Sequence, residues 1–248
     1  MNHWQNVMKA IKDADVILFI LDARMPELSR NRDLETKLQE SGKEILTVFN
    51  KVDLVSRERL IKLKKENENA FFISVPDKAG INALRTHVLI LAKKSETKLN
   101  VGIVGYPNVG KSAITNILSR TSKTKVSSKA GTTIGIQWAS SSKFKILDSP
   151  GVIPLEDDEI KLGVLGAKNP EKIKNPRKVA SEIIKLFLDN NPSKLEKEYG
   201  FKIESTDEYE ILLQIGQAKK LLRKGGLVDE QRTFLMTIRD WQKGKLKL

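Results

Sequence analysis

The segment Gly105–Ser112 has the residue types and the spacing of a phosphate-binding loop. It runs Gly-Tyr-Pro-Asn-Val-Gly-Lys-Ser and fits the pattern GxxxxGK[ST]. In this pattern, backbone N–H groups, the lysine ammonium and the hydroxyl converge on the phosphates of a nucleotide. An apolar run at 101–105 precedes the loop, and 113–118 has apolar residues at helical spacing. Strand, loop and helix together predict a phosphate site that the helix N-terminus also faces.

A second polar segment, Asn50-Lys51-Val52-Asp53, follows another apolar run and matches the pattern NKxD. A carboxylate at Asp53 can accept hydrogen bonds from the two donors on the edge of guanine. Adenine would leave this carboxylate desolvated and unpaired, at a cost on the order of 1–3 kcal/mol. The tetrapeptide alone is a weak signal, but beside a phosphate loop it predicts a guanine site. We expect a backbone N–H of Ser74-Val75, after the next strand, to meet the guanine oxygen.

A third polar segment, Asp148-Ser-Pro-Gly151, follows a strand on the far side of the loop. A carboxylate at Asp148 can hold Mg²⁺ directly or through water, and Gly151 can present its N–H to a γ-phosphate. Ser112 is expected to supply the partner hydroxyl on Mg²⁺. Lys111 is expected to neutralise the β- and γ-phosphate oxygens. The three segments therefore predict GTP and GDP as ligands, with Mg²⁺.

A threonine that joins the Mg²⁺ shell only with the triphosphate bound is expected at Thr133, with Thr132 as the alternative. The residues predicted to act in catalysis are Lys111, Thr133 and Gly151. The residues predicted to contact the nucleotide are Asn50, Lys51, Asp53, Ser74, Val75, Asn108, Val109, Gly110, Lys111, Ser112, Ala113, Thr133 and Gly151.

The elements that must position these segments alternate between strand and helix patterns through the first 150 residues. Such alternation predicts an α/β doubly wound, mostly parallel sheet, with ligands at the carboxyl ends of its strands. One helix is expected over 29–40. After residue 153 no strand pattern is convincing, so we predict a sheet domain at 1–153 and an all-helical domain at 154–248. In the latter, a helix is expected to begin at Ser205 or Thr206, bury Leu222 and end at Gly225-Gly226.

The formal net charge of +13 is unevenly distributed. Residues 1–151 hold 25 Lys/Arg and 15 Asp/Glu, residues 152–215 hold 10 and 13, and residues 216–248 hold 9 and 3. No acidic residue lies between Glu96 and Asp148. Two separated basic zones, one before residue 152 and one after residue 215, favour a polyanionic partner. The alternative is a solvated basic surface. In the first of these zones, Lys123, Lys125 and Lys129 are the candidate RNA contacts.

Other classes of protein are disfavoured by composition. No apolar run approaches the roughly 18 residues of a membrane span, and the N-terminal residues lack a secretory pattern. Cysteine is absent, so disulfides and thiolate metal sites are excluded. We expect a cytoplasmic protein with no membrane or DNA partner, and a monomer.

The order of these segments resembles that of circularly permuted GTPases, and the chain looks similar to the YlqF/RbgA (mitochondrial GTPase 1-like) ribosome-assembly family. The likeness extends to Asp22-Ala-Arg24, Pro26, Ser29-Arg-Asn31, Gly131-x-Thr133 and Gln137-Trp138, and to 225–232 and 239–245. It implies GTP hydrolysis coupled to late maturation of the large ribosomal subunit, with the helical domain touching ribosomal RNA. The chain departs from the family pattern at Val75, usually alanine, and at Ala130, often proline.

The catalytic group is harder to read from the sequence. Val152 and Ile153 follow Gly151, where many GTPases place a water-orienting glutamine. Arg24 and Arg120 are conceivable arginine fingers. Hydrolysis is therefore expected to be slow alone and stimulated by a partner, since supplied groups contribute roughly 10³–10⁵-fold elsewhere. Asn108 resembles the asparagine of GTPases that bind K⁺; the alternative is that it serves only turn geometry. The metal set is then Ser112, Thr133 and Asp148 for Mg²⁺, and Asn108 for K⁺.

Two further functions fit the same motifs. One is a GTPase of another RNA process, such as tRNA modification. The other is a nucleotide-dependent RNA-binding module in which hydrolysis is negligible.

Overall fold

The computed structural model of the chain describes residues 3–119, 137–140, 143–149, 151, 153 and 157–248. The chain divides into two compact units, Met1–Leu155 and Glu156–Leu248. The sequence prediction put this division at 153/154, two residues earlier.

The first unit is built on a six-stranded sheet in the order β3-β2-β1-β4-β6-β5. Its first five strands in that order pair in parallel, and β5 pairs antiparallel to β6 at the edge. Every residue of β1 is buried, as expected for a strand covered on both faces. The mostly parallel sheet confirms the predicted α/β class. The strands are β1 Val16–Asp22, β2 Glu44–Asn50, β3 Phe71–Phe72, β4 Leu99–Gly105, β5 Gln137–Ser140 and β6 Phe144–Asp148.

The helices of the first unit follow the expected pattern with one difference. The helix predicted at 29–40 is two helices, because Arg30 and Asn31 are extended and the Asn31 side chain caps the second one by accepting from Leu34 N–H. Ser56 caps α4 by accepting from the N–H of Arg59. The described helices are α1 His3–Asp13, α2 Pro26–Ser29, α3 Arg32–Glu40, α4 Arg57–Glu66, α5 Ile81–Lys94 and α6 Lys111–Ser119.

The described part of the second unit is helical, apart from one isolated β-bridge. Trp241 is fully buried at its centre, where its indole N–H donates to the carbonyl of Val164 at 2.8 Å and its ring meets Phe187 edge to face. The described helices are α7 Glu159–Val164, α8 Pro176–Asn190, α9 Pro192–Tyr199, α10 Glu208–Ala218 and α11 Glu230–Gln242.

The prediction for α10 was wrong at both ends. Its N-cap is Asp207, whose carboxylate accepts from Glu210 N–H, and not Ser205 or Thr206. The helix ends at Ala218 because Lys220 adopts a left-handed backbone (φ 54°) and Leu221 N–H closes back on Gly216 O. Leu222, predicted inward, is 45% exposed and forms the β-bridge with Val228.

None of the helices in the described ranges has the length and apolar character needed to cross a membrane.

Candidate nucleotide-binding site

The phosphate loop joins β4, which ends at Gly105, to α6, which begins at Lys111. Its two end glycines have backbone geometry that favours glycine. Gly105 has φ 146°, and a Cβ there would lie 2.5 Å from the carbonyl oxygen of Ile20. Gly110 has φ 102°, and a Cβ there would lie 2.1 Å from Nδ2 of Asn50. The spacing of the motif thus matches close packing of the loop against β1 and the end of β2.

Asn50 joins the predicted guanine-reading segment, Asn50–Asp53, to the phosphate loop. It is buried at the carboxyl end of β2, and its Nδ2 donates to the carbonyl of Val109 at 2.8 Å. The two residues are 59 positions apart in sequence. Two segments predicted separately from the sequence therefore lie side by side at the same edge of the sheet.

Asp53 lies in a short 3₁₀ turn, Val52–Leu54, directly after Lys51. Lys51 has a left-handed backbone (φ 66°), which turns the chain out of β2. One carboxylate oxygen of Asp53, Oδ1, is shielded from solvent and has no hydrogen-bond partner within the described residues. Since a buried acceptor without a donor is costly, this oxygen is suited to a ligand that brings N–H groups.

Ser74-Val75 follows β3 beside that turn, because Val52 N–H donates to Ile73 O at 3.2 Å. Ser74 is fully buried. Its N–H donates to Ala79 O at 3.1 Å, and its hydroxyl accepts from Asp77 N–H. The backbone N–H of Ser74 is therefore committed within the loop.

Lys111 is buried at the start of α6. Its ammonium donates to two carbonyls of the loop itself, Gly105 O at 3.1 Å and Tyr106 O at 2.5 Å. Burial lowers the pKa of Lys111 to about 8, against the attraction of Asp148, which acts to raise it. A phosphate oxygen would offer this ammonium a better partner than a neutral carbonyl.

Asp148 ends β6 and is 2% exposed. Burial raises the pKa of Asp148, although a hydrogen bond with Ser112 and the charge of Lys111 both act to lower it. Its Oδ1 atom has no hydrogen-bond partner within the described part of the chain. Ser112 and Asp148, both predicted to hold Mg²⁺, are thus in contact. The orphaned oxygen and the hydroxyl are the donor set that this hard cation prefers, so these residues fit it.

Gly151 approaches the phosphate loop closely. A Cβ at this position would lie 2.5 Å from the backbone nitrogen of Pro107 and 2.7 Å from its Cα. Gly151 therefore packs directly against the phosphate loop. The β4 strand that feeds the loop lies between β1 and β6, while the guanine-reading strand β2 precedes it in the chain.

The comparisons with known proteins agree with this arrangement. Residues 100–218 match the family described as 50S ribosome-binding GTPase. YlqF from T. maritima, in its GNP-bound crystal structure, superposes with a TM-score of 0.62 at 23% identity, covering 98% of this chain and 94% of that one. Its GDP-bound structure gives 0.63 at 24% identity, with 96% and 94% covered.

The whole chain has the fold of YlqF, and residues 100–218 are similar to the 50S ribosome-binding GTPase family. The family match begins at residue 100, just before the phosphate loop, so the NKxD segment lies ahead of it in the chain. A GTP-binding protein of Methanocaldococcus jannaschii is 41% identical over 97% of this chain. The GTPase grn1 of Schizosaccharomyces pombe is 30% identical over 96%, and nucleolar GTP-binding protein 2 of Pneumocystis carinii 31% identical over 98%. The chain spans 65%, 59% and 52% of the lengths of these relatives.

Some of the residues predicted to be functional lie outside the described ranges: Arg120, Lys123, Lys125, Lys129, Thr132 and Thr133. Asn108, Val109 and Ala113 are described. Val109 is buried, and Asn108 is exposed with a left-handed backbone (φ 59°), a conformation that asparagine tolerates better than most residues. Turn geometry therefore accounts for an asparagine at 108 without any ligand.

Arg24 is not placed to act as an arginine finger. Its side chain is 1% exposed and forms two hydrogen bonds with Asp22, from Nε to Oδ1 at 3.1 Å and from a terminal nitrogen to Oδ2 at 2.9 Å. A finger must reach the phosphates, whereas this guanidinium is held in a buried ion pair. The structure therefore contradicts the hypothesis that Arg24 is an arginine finger.

Asp22 itself lies beside the site, although no role was predicted for it. It ends β1, pairs in register with Asn50, and accepts a hydrogen bond from the ammonium of Lys51 at 2.7 Å. Its position at a strand end, shared with Asn50 and Asp148, was the signal that could have found it.

Proposed function

We propose that this chain is a GTP-hydrolysing factor that acts on the precursor of the large ribosomal subunit and binds RNA through its helical unit. The observation that carries the nucleotide part is the 2.8 Å hydrogen bond from Asn50 to Val109, which joins the NKxD segment to the phosphate loop. Two buried carboxylate oxygens, on Asp53 and Asp148, also support it, because they have no hydrogen-bond partner in the described residues.

In the proposed complex the guanine lies over the segment Asn50–Asp53. Asp53 accepts from the donors on the base edge. Because Ser74 N–H is used by Ala79, the N–H expected to meet the guanine oxygen is that of Val75. The phosphates lie against Asn108–Ala113, where the ammonium of Lys111 exchanges its carbonyl partners for phosphate oxygens.

Asp148, Ser112 and Thr133 are the residues proposed to hold Mg²⁺. The cation would neutralise charge on the β- and γ-phosphate oxygens when bound. The protein's own contribution is to hold Ser112, at the start of α6, in contact with the buried carboxylate of Asp148 at the end of β6. Gly151, packed against Pro107, is proposed to present its N–H to the γ-phosphate.

We propose slow hydrolysis in the absence of a partner. The positions after Gly151 are apolar, and Arg24 is committed to Asp22. The large subunit is the proposed stimulant, together with K⁺ held near Asn108. Replacing Asn108 with glycine keeps the left-handed backbone and removes the amide. It should therefore abolish any rate advantage of K⁺ over Na⁺ if the side chain holds the ion. An unchanged advantage would leave Asn108 a turn residue.

The RNA part of the proposal is supported by an exposed basic hairpin, residues 219–229. Leu222 and Val228 form its β-bridge, and Arg223 N–H donates to Leu227 O at 2.8 Å. Its turn passes through Gly225 and Gly226, both with positive φ. The exposed cations of this basic hairpin are Lys219, Lys220, Arg223 and Lys224.

The same hairpin exposes two leucines, Leu222 at 45% and Leu227 at 74%. Cations next to exposed apolar side chains suit a nucleic acid with unstacked bases, because phosphates and base faces can be met together. The hairpin is fixed at its base, since a Cβ on Gly216 of α10 would lie 2.3 Å from Cγ1 of Val228.

Charge reversal tests the hairpin. Lys220→Glu with Lys224→Glu should weaken binding to ribosomal RNA at least tenfold and lower its salt dependence, since each lost phosphate contact reduces the slope by about one. The matched control reverses two exposed lysines elsewhere in the same unit, Lys185→Glu with Lys194→Glu. Equal losses in the two pairs would mean a general charge effect and no hairpin site.

The function itself is tested by the GTP hydrolysis rate with and without purified large subunits, in K⁺ and in Na⁺ at equal ionic strength. We expect stimulation by the subunit. Co-sedimentation with large-subunit precursors separates this role from that of a GTPase in tRNA modification. A turnover number that large subunits leave unchanged favours an RNA-binding module with negligible hydrolysis.

A further inference from the structure

Asp22 is held by residues that the nucleotide site leaves without a role: Arg24 and Ser29 contact it directly, and Pro26 supports Ser29. Arg24 donates to Asp22 three times, from its backbone N–H at 3.0 Å and from the two guanidinium nitrogens at 3.1 and 2.9 Å. Ser29 accepts from the backbone N–H of Asp22 at 3.0 Å and donates its hydroxyl to Pro26 O. Both the backbone and the side chain of Asp22 are therefore fixed.

The remaining bond of this carboxylate goes to the guanine-reading segment. Lys51 Nζ donates to Oδ2 of Asp22 at 2.7 Å. The Asp22 side chain is 1% exposed and that of Lys51 is 20% exposed, so the pair is largely shielded from competing water. A charged hydrogen bond in such surroundings is stronger than one at the surface.

Lys51 is thus held at both ends. Its backbone is fixed in the left-handed turn that begins the 3₁₀ segment of Asp53, and its ammonium is fixed by Asp22. A lysine otherwise has a long flexible stem, whose rotamers must be frozen when it packs on a ligand. With the ammonium anchored, the apolar stem is already ordered beside Asp53 and can cover the face of a base.

We propose that Asp22 is a positioning residue for guanine-nucleotide binding, which acts by anchoring Lys51, with Arg24 clamping the anchor. The proposal rests on the guanine site proposed above. Its consequence is that part of the ordering needed to bind the base is already present in the free protein.

A double-mutant cycle on GDP affinity tests this role. Asp22→Asn combined with Arg24→Met removes the anchor together with the cation that it balances, which spares the fold an uncompensated guanidinium. This anchor variant should weaken GDP binding about tenfold, through faster dissociation. Lys51→Met should weaken it at least as much. The variant that combines all three changes should bind no more weakly than Lys51→Met alone, because the anchor acts only through Lys51.

The kinetic signature separates positioning from a merely structural role. The anchor variant should raise KM for GTP and leave kcat at saturating GTP close to that of the wild type, because Lys51 serves the nucleoside half of the ligand. Asp240→Asn, which neutralises a buried carboxylate paired with Lys245 in the helical unit, is the control and should leave KM unchanged.

The proposal would be overturned if the two anchor changes weakened GDP binding further in the Lys51→Met background. A fall in kcat with unchanged KM in the anchor variant would also overturn it. If the anchor variant does not fold, Arg24→Met alone gives the same test with an expected loss of about threefold. Asp53→Asn distinguishes the two levels of the argument. If it leaves GDP affinity unchanged, the guanine assignment fails. If it weakens GDP binding and the anchor variant does not, only the role of Asp22 fails.

Discussion

Asp22 and Asp148 end two strands of the same sheet, on either side of the strand that feeds the phosphate loop, and yet their charges are handled in opposite ways. Both are almost fully buried. Burial by itself raises the pKa of Asp22, but Lys51 and Arg24 outweigh it and hold the pKa below the usual value for aspartate. At Asp148 burial prevails over Ser112 and Lys111, so the pKa is raised.

The difference separates a carboxylate that stabilises the fold from one that is suited to bind a ligand. The Asp22 carboxylate accepts hydrogen bonds from Arg24 and Lys51. Asp148 keeps an oxygen without a partner in the described residues. A carboxylate whose burial outweighs the nearby cation, and which keeps an oxygen without a partner, is the kind expected at a site for a cation. Burial alone does not distinguish Asp22 from Asp148, whereas the strength of their pairing with nearby cations does.

The largest effect should come from Asp22→Asn as a single change. It leaves the Arg24 and Lys51 cations buried without their anion, so the free energy of unfolding should fall by about 3 kcal/mol. Urea unfolding of the nucleotide-free protein measures it. A loss below about 1 kcal/mol would show that these cations are solvated well enough to need no partner.

Asp53 is a third carboxylate for this comparison. Like Asp148, it keeps an oxygen without a partner in the described residues. Asp53→Asn should weaken GDP binding by about 2 kcal/mol, or roughly 30-fold, because the base edge loses an acceptor for its two donors. Stability without nucleotide should stay within about 0.5 kcal/mol of the wild type. Asp53→Asn should weaken the binding of xanthosine diphosphate less than that of GDP, because xanthine has a carbonyl where guanine has an amino group. Equal losses for both nucleotides would argue against edge recognition by Asp53.

Asp148→Asn should have little effect on the free protein. The amide keeps the shape of the side chain and removes a charge that burial disfavours, so the free energy of unfolding should change by at most about 1 kcal/mol. The enhancement of GTP affinity by Mg²⁺ should disappear, as a Mg²⁺ titration with a fluorescent GTP analogue would record. A large loss of stability would move Asp148 into the class of Asp22.

Much of the fold and of the candidate site could be predicted from the sequence, because the informative residues follow buried strands. The apolar runs before Asn50, Gly105 and Asp148 fix the edge of the sheet at which all three must meet. The strand-end position of Asp22 predicts that it lies beside the site, but its role could not be read, since that role depends on the Lys51 ammonium, 29 positions away in sequence. The end of α10 was misjudged for a related reason. Apolar spacing continues to Leu222, and only the left-handed backbone of Lys220, a residue that rarely adopts it, ends the helix.

The smallest effect is the pH dependence that the lowered pKa of Asp22 implies. A carboxyl with a folded-state pKa below its unfolded value of 3.8 contributes stability above that pH, and the contribution fades as the pH falls. The stability difference between the wild type and Asp22→Asn should therefore be constant from pH 7 to about pH 5. Below about pH 4 it should shrink, by at most about 1.4 kcal/mol per pH unit. Urea unfolding of both proteins across this range measures the difference. Asp240→Asn, compared with the wild type in the same way, controls for general acid effects. A difference that shrinks already between pH 7 and pH 5 would mean that Asp22 titrates there, and that its two cations do not hold its charge.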